Sequence, residues 1–124
     1  MFRNVLLVAL GSAVGGVCRY ILSLEIAERY VAEFPYGTFV VNLLGCFAVG
    51  CVYGAAARYG WFTPELRLLL AVGFCGGFTT FSSFAYENVW LLESRNYLTF
   101  GAYILLSVAL GLAAAFTGLW LTRP

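Results

Sequence analysis

The run Gly73-Phe74-Cys75-Gly76-Gly77-Phe78-Thr79-Thr80-Phe81-Ser82-Ser83-Phe84 holds the side chains best suited to chemistry in this sequence. Phe81 and Phe84 stand three residues apart, so on a helix they share one face. An aromatic ring is negative over its face and positive along its edge, so ring edges can receive an anion. Thr79, Thr80, Ser82 and Ser83 place hydroxyl donors beside the rings, and Asn42, amid Val40, Val41, Leu43 and Leu44, offers an amide. Such donors would replace part of an anion's water without a fixed positive charge that would hold the ion too tightly to release. The plainer alternative is that the two rings pack against lipid or a neighbour and that Asn42 bonds a carbonyl.

The same run raises a backbone question. Two adjacent glycines followed by two β-branched threonines weaken a helix. A break there would free carbonyls and amides, which is tolerable in lipid only where they face protein, water or an ion. A tightly packed glycine-rich helix, with hydroxyls bonded back to their own i−4 carbonyls, fits the residue types equally well. Two ionisable residues, Arg19 and Glu87, fall within apolar stretches. A charge at the centre of a span costs about 2.5–3.5 kcal/mol on insertion scales, so each needs a partner or water. Arg19 would either line an aqueous vestibule or snorkel to the interface. Glu87 would either find a partner or lie exposed near the end of its helix.

Several function classes fall away. The chain has no His, no Asp and no Lys; its seven basic residues are all Arg and its six acidic ones all Glu. No nucleophile–base pair can be assembled except Glu87 with a serine, and the GxxxxGK[ST] loop for nucleotides is absent. A net charge of +1 leaves no basic patch for nucleic acid. Cys18, Cys46, Cys51 and Cys75 all sit in apolar stretches without a CxxC pair and read as small embedded side chains.

The elements that must position these residues are membrane spans. The sequence is 62% hydrophobic and 10% charged, against roughly a quarter charged in a soluble domain. Four segments approach the ~20 apolar residues that cross ~30 Å of hydrocarbon, at residues 5–24, 37–57, 66–92 and 97–121. They make a single all-α membrane domain over 1–124. Arg3 before Val5–Leu10 has the charge order of a signal peptide, but removing it would leave an odd number of helices, so it is read as the first span. Short links at 25–36, 58–65 and 93–96 force successive spans to alternate. Aromatic residues such as Tyr30, Tyr36, Trp61 and Tyr97 gather at the expected ends, as an interfacial belt does. GxxxG spacings at Gly11/Gly15, Gly50/Gly54 and Gly73/Gly77 predict close helix packing. Arg3, Arg58, Arg67 and Arg123 would lie on one side, and Arg29 and Arg95, with Arg19 if it reaches that interface, on the other. So weak a bias allows insertion in both orientations and, with it, an antiparallel homodimer.

The third-span run, together with Gly37-Thr38-Phe39-Val40-Val41-Asn42-Leu43-Leu44-Gly45 and Gly15-Gly16-Val17-Cys18-Arg19-Tyr20, resembles the Fluc (CrcB) family of fluoride channels. The resemblance covers nearly the whole chain in order. It implies an antiparallel, dual-topology homodimer in the inner (plasma) membrane, with two fluoride pores, a third helix broken mid-membrane and a sodium ion at the dimer centre. By the same resemblance, Phe81 and Phe84 line the pore by their edges. Asn42 is the pore asparagine, and Thr80, Ser82, Ser83 and, more loosely aligned, Ser107 are pore-side hydroxyls. Arg19 matches the vestibule arginine, and the backbone of Gly76 and Thr79 matches the sodium ligands. Where some members carry a second serine one turn after Ser107, this chain has Gly111. A small four-helix multidrug exporter is the nearest rival, but it needs an acid in the first span, where this chain has Arg19 and only the terminal Glu25. A non-transporting structural subunit is another, and it would tolerate Asn42→Asp or Phe81→Ile.

Overall fold

The computed structural model describes all of residues 1–124. Helix α1 runs Phe2–Arg29 and α2 runs Tyr36–Arg58. The third span is built in pieces: α3 Pro64–Arg67, a π-helix (π1) Leu68–Cys75, α4 Gly76–Phe78 and α5 Phe81–Glu93. The last span, α6, is Tyr97–Thr122. Four of these stretches are long and apolar enough to cross a membrane: Phe2–Arg29, Tyr36–Arg58, Pro64–Glu93 and Tyr97–Thr122. Only 17 of 124 residues are buried, and most of the large apolar side chains are exposed, as a lipid-solvated surface requires.

The elements begin and end for local reasons. Thr63 caps α3 by accepting from the Leu66 amide at 3.1 Å, with Pro64 at the first helical position. Asn96 caps α6 by accepting from Thr99 N. Between α5 and α6 the chain turns through Arg95 at φ 59°, the left-handed conformation that closes many helices but is costly for a residue with a Cβ. Helix α1 extends past the expected end at residue 24 to Arg29. Its last turn lies outside the apolar stretch and carries a Glu25–Arg29 pair at 3.1 Å, spaced to support helix rather than loop. Hydrocarbon thickness limits the apolar stretch, not the helix.

Small residues set the packing. The most extensive contacts join α1 to π1 and α2 to α6, while α5 touches the rest of its own chain lightly. A Cβ built on Gly73 would stand 3.0 Å from the Gly11 Cα, and one on Gly118 would stand 2.9 Å from the Cys51 amide, so these backbones meet directly. Gly11 and Gly15 pack against the third span, and Gly50 and Gly54 against α6, as the GxxxG spacings predict. At one end Tyr30, Phe34 and Tyr36 cluster. At the other, Tyr59 stacks on Trp61 at 5.4 Å, and an exposed Arg3–Glu65 pair at 3.0 Å ties α1 to α3.

The third helix is broken, but not at its glycines. Gly76 and Gly77 stay helical, and the chain becomes extended at Thr79 (φ −94°, ψ 158°) and Thr80 (φ −148°, ψ 119°). Branched threonines favour that region. Gly77 serves packing instead, where a Cβ would stand 2.5 Å from the Ser12 carbonyl.

Candidate functional site

The break must find new partners for its backbone, and each one is a side chain singled out by residue type. In an unbroken helix Thr80 N–H would donate to the Gly76 carbonyl. Here it donates to Asn42 Oδ1 at 2.8 Å, while Asn42 Nδ2 donates to the Thr80 carbonyl at 3.0 Å. Asn42 thus holds Thr80 at two points, as a neighbouring strand would, and keeps one amide hydrogen free. Ser83 N–H, which would otherwise reach the Thr79 carbonyl, donates to Thr80 Oγ1 at 3.1 Å and starts α5. Arg19 Nε donates to the Gly77 carbonyl at 3.0 Å. The carbonyls of Gly76 and Thr79 are left without their helical donors.

Beside the break lies a cavity of about 420 Å³, open at the surface of the chain. Its wall includes Asn42, Gly76, Thr79, Thr80, Phe81, Phe84 and Ser107. The Phe81 and Phe84 rings stand 5.7 Å apart, tilted by 45°. The Ser107 hydroxyl is buried with no hydrogen-bond partner, although its residue lines this wall. Phe81 is 78% exposed at mid-span, so nothing in its own chain covers it. Cys46 and Cys75 complete part of the wall, and all four cysteines are unpaired thiols.

The remaining candidates lie elsewhere. Ser82 faces out, within 3.3 Å of Thr80 Oγ1. Ser83 lines a second cavity of about 470 Å³. Arg19 lines neither cavity; it is spent on the break. Glu87 is not left exposed at its helix end. Thr38 Oγ1 donates to one of its oxygens and Tyr103 Oη to the other, both at 2.7 Å. Neither Thr38 nor Tyr103 was singled out by residue type. Thr38 precedes Asn42 by one helical turn and Tyr103 precedes Ser107 by one turn, so face spacing from the two chosen residues could have found both. Tyr103 also packs on Phe84 at 4.8 Å, which links the carboxylate to the ring pair.

Four apolar spans, an exterior made for lipid and a polar seam where the third span opens define a small multi-pass membrane protein organised around a mid-helix break. The chain belongs to the CrcB-like family: the family model described as "CrcB-like protein, Camphor Resistance (CrcB)" matches residues 6–119. Among curated relatives, the "Fluoride-specific ion channel FluC" of Leptospira interrogans serogroup Icterohaemorrhagiae serovar copenhageni is 44% identical over 121 residues, 98% of this chain and 95% of the relative. The protein of that name from Azobacteroides pseudotrichonymphae is 43% identical over 123 residues, covering 99% and 98%. That from Roseiflexus sp. is 42% identical over 120 residues, covering 97% of each.

Proposed function

We propose that the chain is a passive, fluoride-selective channel that lets fluoride leave the cytoplasm across the plasma membrane. The names of its relatives support this class and not an enzyme. The observation that carries the reading within the molecule is the unpartnered Ser107 hydroxyl on one wall with two phenylalanine rings and the Asn42 amide. A buried hydroxyl without a partner is costly unless something occupies it. Fluoride is small and strongly hydrated, so a narrow path must offer many weak donors in place of its water. Ring edges of Phe81 and Phe84, the free amide hydrogen of Asn42 and the hydroxyls of Thr80 and Ser107 are such donors on the first cavity, and Ser83 on the second cavity and the outward Ser82 would extend the path beyond it. Chloride, being larger, is excluded by width.

The working unit is an antiparallel homodimer of dual topology with two pores. Its support is physical: Phe81, Ser82 and the cavity wall open outward at mid-span, where lipid tolerates no bare polar backbone, and α5 has few contacts in its own chain. A second copy covers both. The carbonyls of Gly76 and Thr79 suit a hard monovalent cation, and no cluster of three or more Cys or Glu side chains competes for that role. Sodium at the dimer centre would be held by these carbonyls and would supply the positive charge that balances their dipoles.

Fluoride efflux from liposomes holding the purified protein, read with a fluoride electrode beside a parallel chloride measurement, tests the reading. Rapid fluoride release without chloride release is expected. No fluoride release from a folded dimer would overturn it.

A further inference from the structure

The charged side chains divide unevenly between the two ends of the bundle. The end where α1 begins and α6 finishes holds Arg3, Arg58, Arg67 and Arg123 against Glu65 alone, whereas the other holds four glutamates against Arg29 and Arg95. Only two salt bridges form, Arg3 with Glu65 and Arg29 with Glu25, so Arg58, Arg67 and Arg123 have no carboxylate partner. All three are exposed. The fold gathers them. Helices α2 and α6 run side by side in one direction, and a Cβ on Gly54 would stand 3.0 Å from the Leu119 carbonyl. Arg58 lies one turn beyond Gly54 and Arg123 one turn beyond Leu119, so the two stand at adjacent helix ends. The link at 59–63 then returns the chain to Arg67 in the single turn of α3. Here the negative dipole ends of α2 and α6 are offset by the positive ends of α1 and the third span, so the net positive charge stands. Aromatic rings set the depth of the patch. The Arg58 guanidinium lies over the Tyr59 ring, 5.2 Å from its centroid, Tyr59 stacks on the exposed Trp61 at 5.4 Å, and Trp61 meets Phe62 at 5.7 Å. Such rings at the end of a span sit at the level of lipid headgroups.

We propose that this end of the molecule binds anionic phospholipid, the phosphate of a phosphatidylglycerol headgroup being held by Arg58, Arg67 and Arg123. A guanidinium meets a phosphate through two parallel N–H donors, and basic residues at a membrane surface attract anionic lipids. A zwitterionic lipid brings the same phosphate with an ammonium attached, which unpartnered arginines repel. A soluble phosphate has the charge but not the chains. The arginines stand at the rim of an apolar exterior on which Tyr53, Trp120 and Leu121 are exposed, and acyl chains cover that exterior below the headgroup. The opposite end, with glutamate in excess, offers no such surface. Binding follows from charge and depth in one protomer, so it does not rest on the channel reading. In a dual-topology pair, one patch would face each leaflet.

Electron paramagnetic resonance tests the patch, because it separates lipid slowed against the protein from lipid moving freely. Spin-labelled phosphatidylglycerol and spin-labelled phosphatidylcholine are compared at trace level in phosphatidylcholine vesicles holding the purified full chain. At low salt the anionic lipid should associate about threefold more strongly. That preference should collapse near ~1 M salt, where charges are screened within about 3 Å. Combining Arg58→Gln, Arg67→Gln and Arg123→Gln should bring phosphatidylglycerol down to the phosphatidylcholine value, while Arg29→Gln at the other end leaves the preference unchanged. All four side chains are exposed, so the variants keep their packing, which circular dichroism checks. Equal slowing of the two lipids, a preference that survives the triple variant, or an equal loss in Arg29→Gln would overturn the proposal. So would loss of the preference on adding inorganic phosphate at constant ionic strength, which assigns the patch to a soluble anion. Because lipid mobility and not flux is read, failure of this site and failure of the channel reading are separable.

Discussion

Asn42 carries two duties that pull on different atoms. Its oxygen and one amide hydrogen hold Thr80, and its second amide hydrogen is left for the anion of the proposed channel. Asn42→Asp keeps the acceptor for Thr80 N–H but sets a carboxylate oxygen against the Thr80 carbonyl and adds negative charge where an anion must pass. A penalty of about 1–3 kcal/mol for the unsatisfied group corresponds to a loss of fluoride efflux of about five- to 150-fold, checked in liposomes at equal protein content. Phe81→Ile should likewise lower efflux at least tenfold while the protomer folds, because the ring is exposed and leaves no void in its own chain. Normal efflux in both variants would return the chain to a structural role. Asn42 drew notice because an amide is odd in an apolar stretch, whereas Phe81, ordinary there by type, stood out through its spacing to Phe84 and the family resemblance. Thr38 and Tyr103 did not stand out, since a threonine or tyrosine in a span is ordinary until Glu87 is seen between them.

At the scale of elements, the sequence marks where a helix is weak better than where it opens. Gly76-Gly77-Phe78-Thr79-Thr80 points to a break, yet the extended residues are the threonines, because packing on Ser12 keeps Gly77 helical. The π-helix at Leu68–Cys75 left no trace: Leu68-Leu69-Leu70-Ala71-Val72 is apolar all round, so it has no phase from which a wider turn could be read. The four spans themselves were plain, since length and apolarity alone define them. Arg95 is the one residue with positive φ. Arg95→Gly should therefore raise stability by about 0.5–1 kcal/mol, seen as a higher melting temperature in detergent with unchanged efflux.

The whole molecule holds two questions that one protomer does not answer. Its arginines favour one side only weakly, with Arg3, Arg58, Arg67 and Arg123 against Arg29 and Arg95, so reporters fused to the C-terminus should be active on both faces of the membrane. Activity on a single face would exclude dual insertion. If sodium binds at Gly76 and Thr79, exhaustive exchange into lithium- and sodium-free buffer should dissociate the dimer or slow efflux, followed by crosslinking and electrode together. A dimer that stays intact with full flux would remove the ion from the account. The broken third span also constrains how the protein is made. Helix α5 is 13 residues long, about 20 Å at ~1.5 Å per residue, too short to cross ~30 Å of hydrocarbon alone. The insertion machinery cannot release the first arm into lipid and wait for the second. It must keep the whole of Pro64–Glu93 sheltered until the last turn has left the ribosome. Placed as the sole hydrophobic segment of a soluble carrier, residues 64–78 should therefore remain extractable, and the whole of Pro64–Glu93 should not.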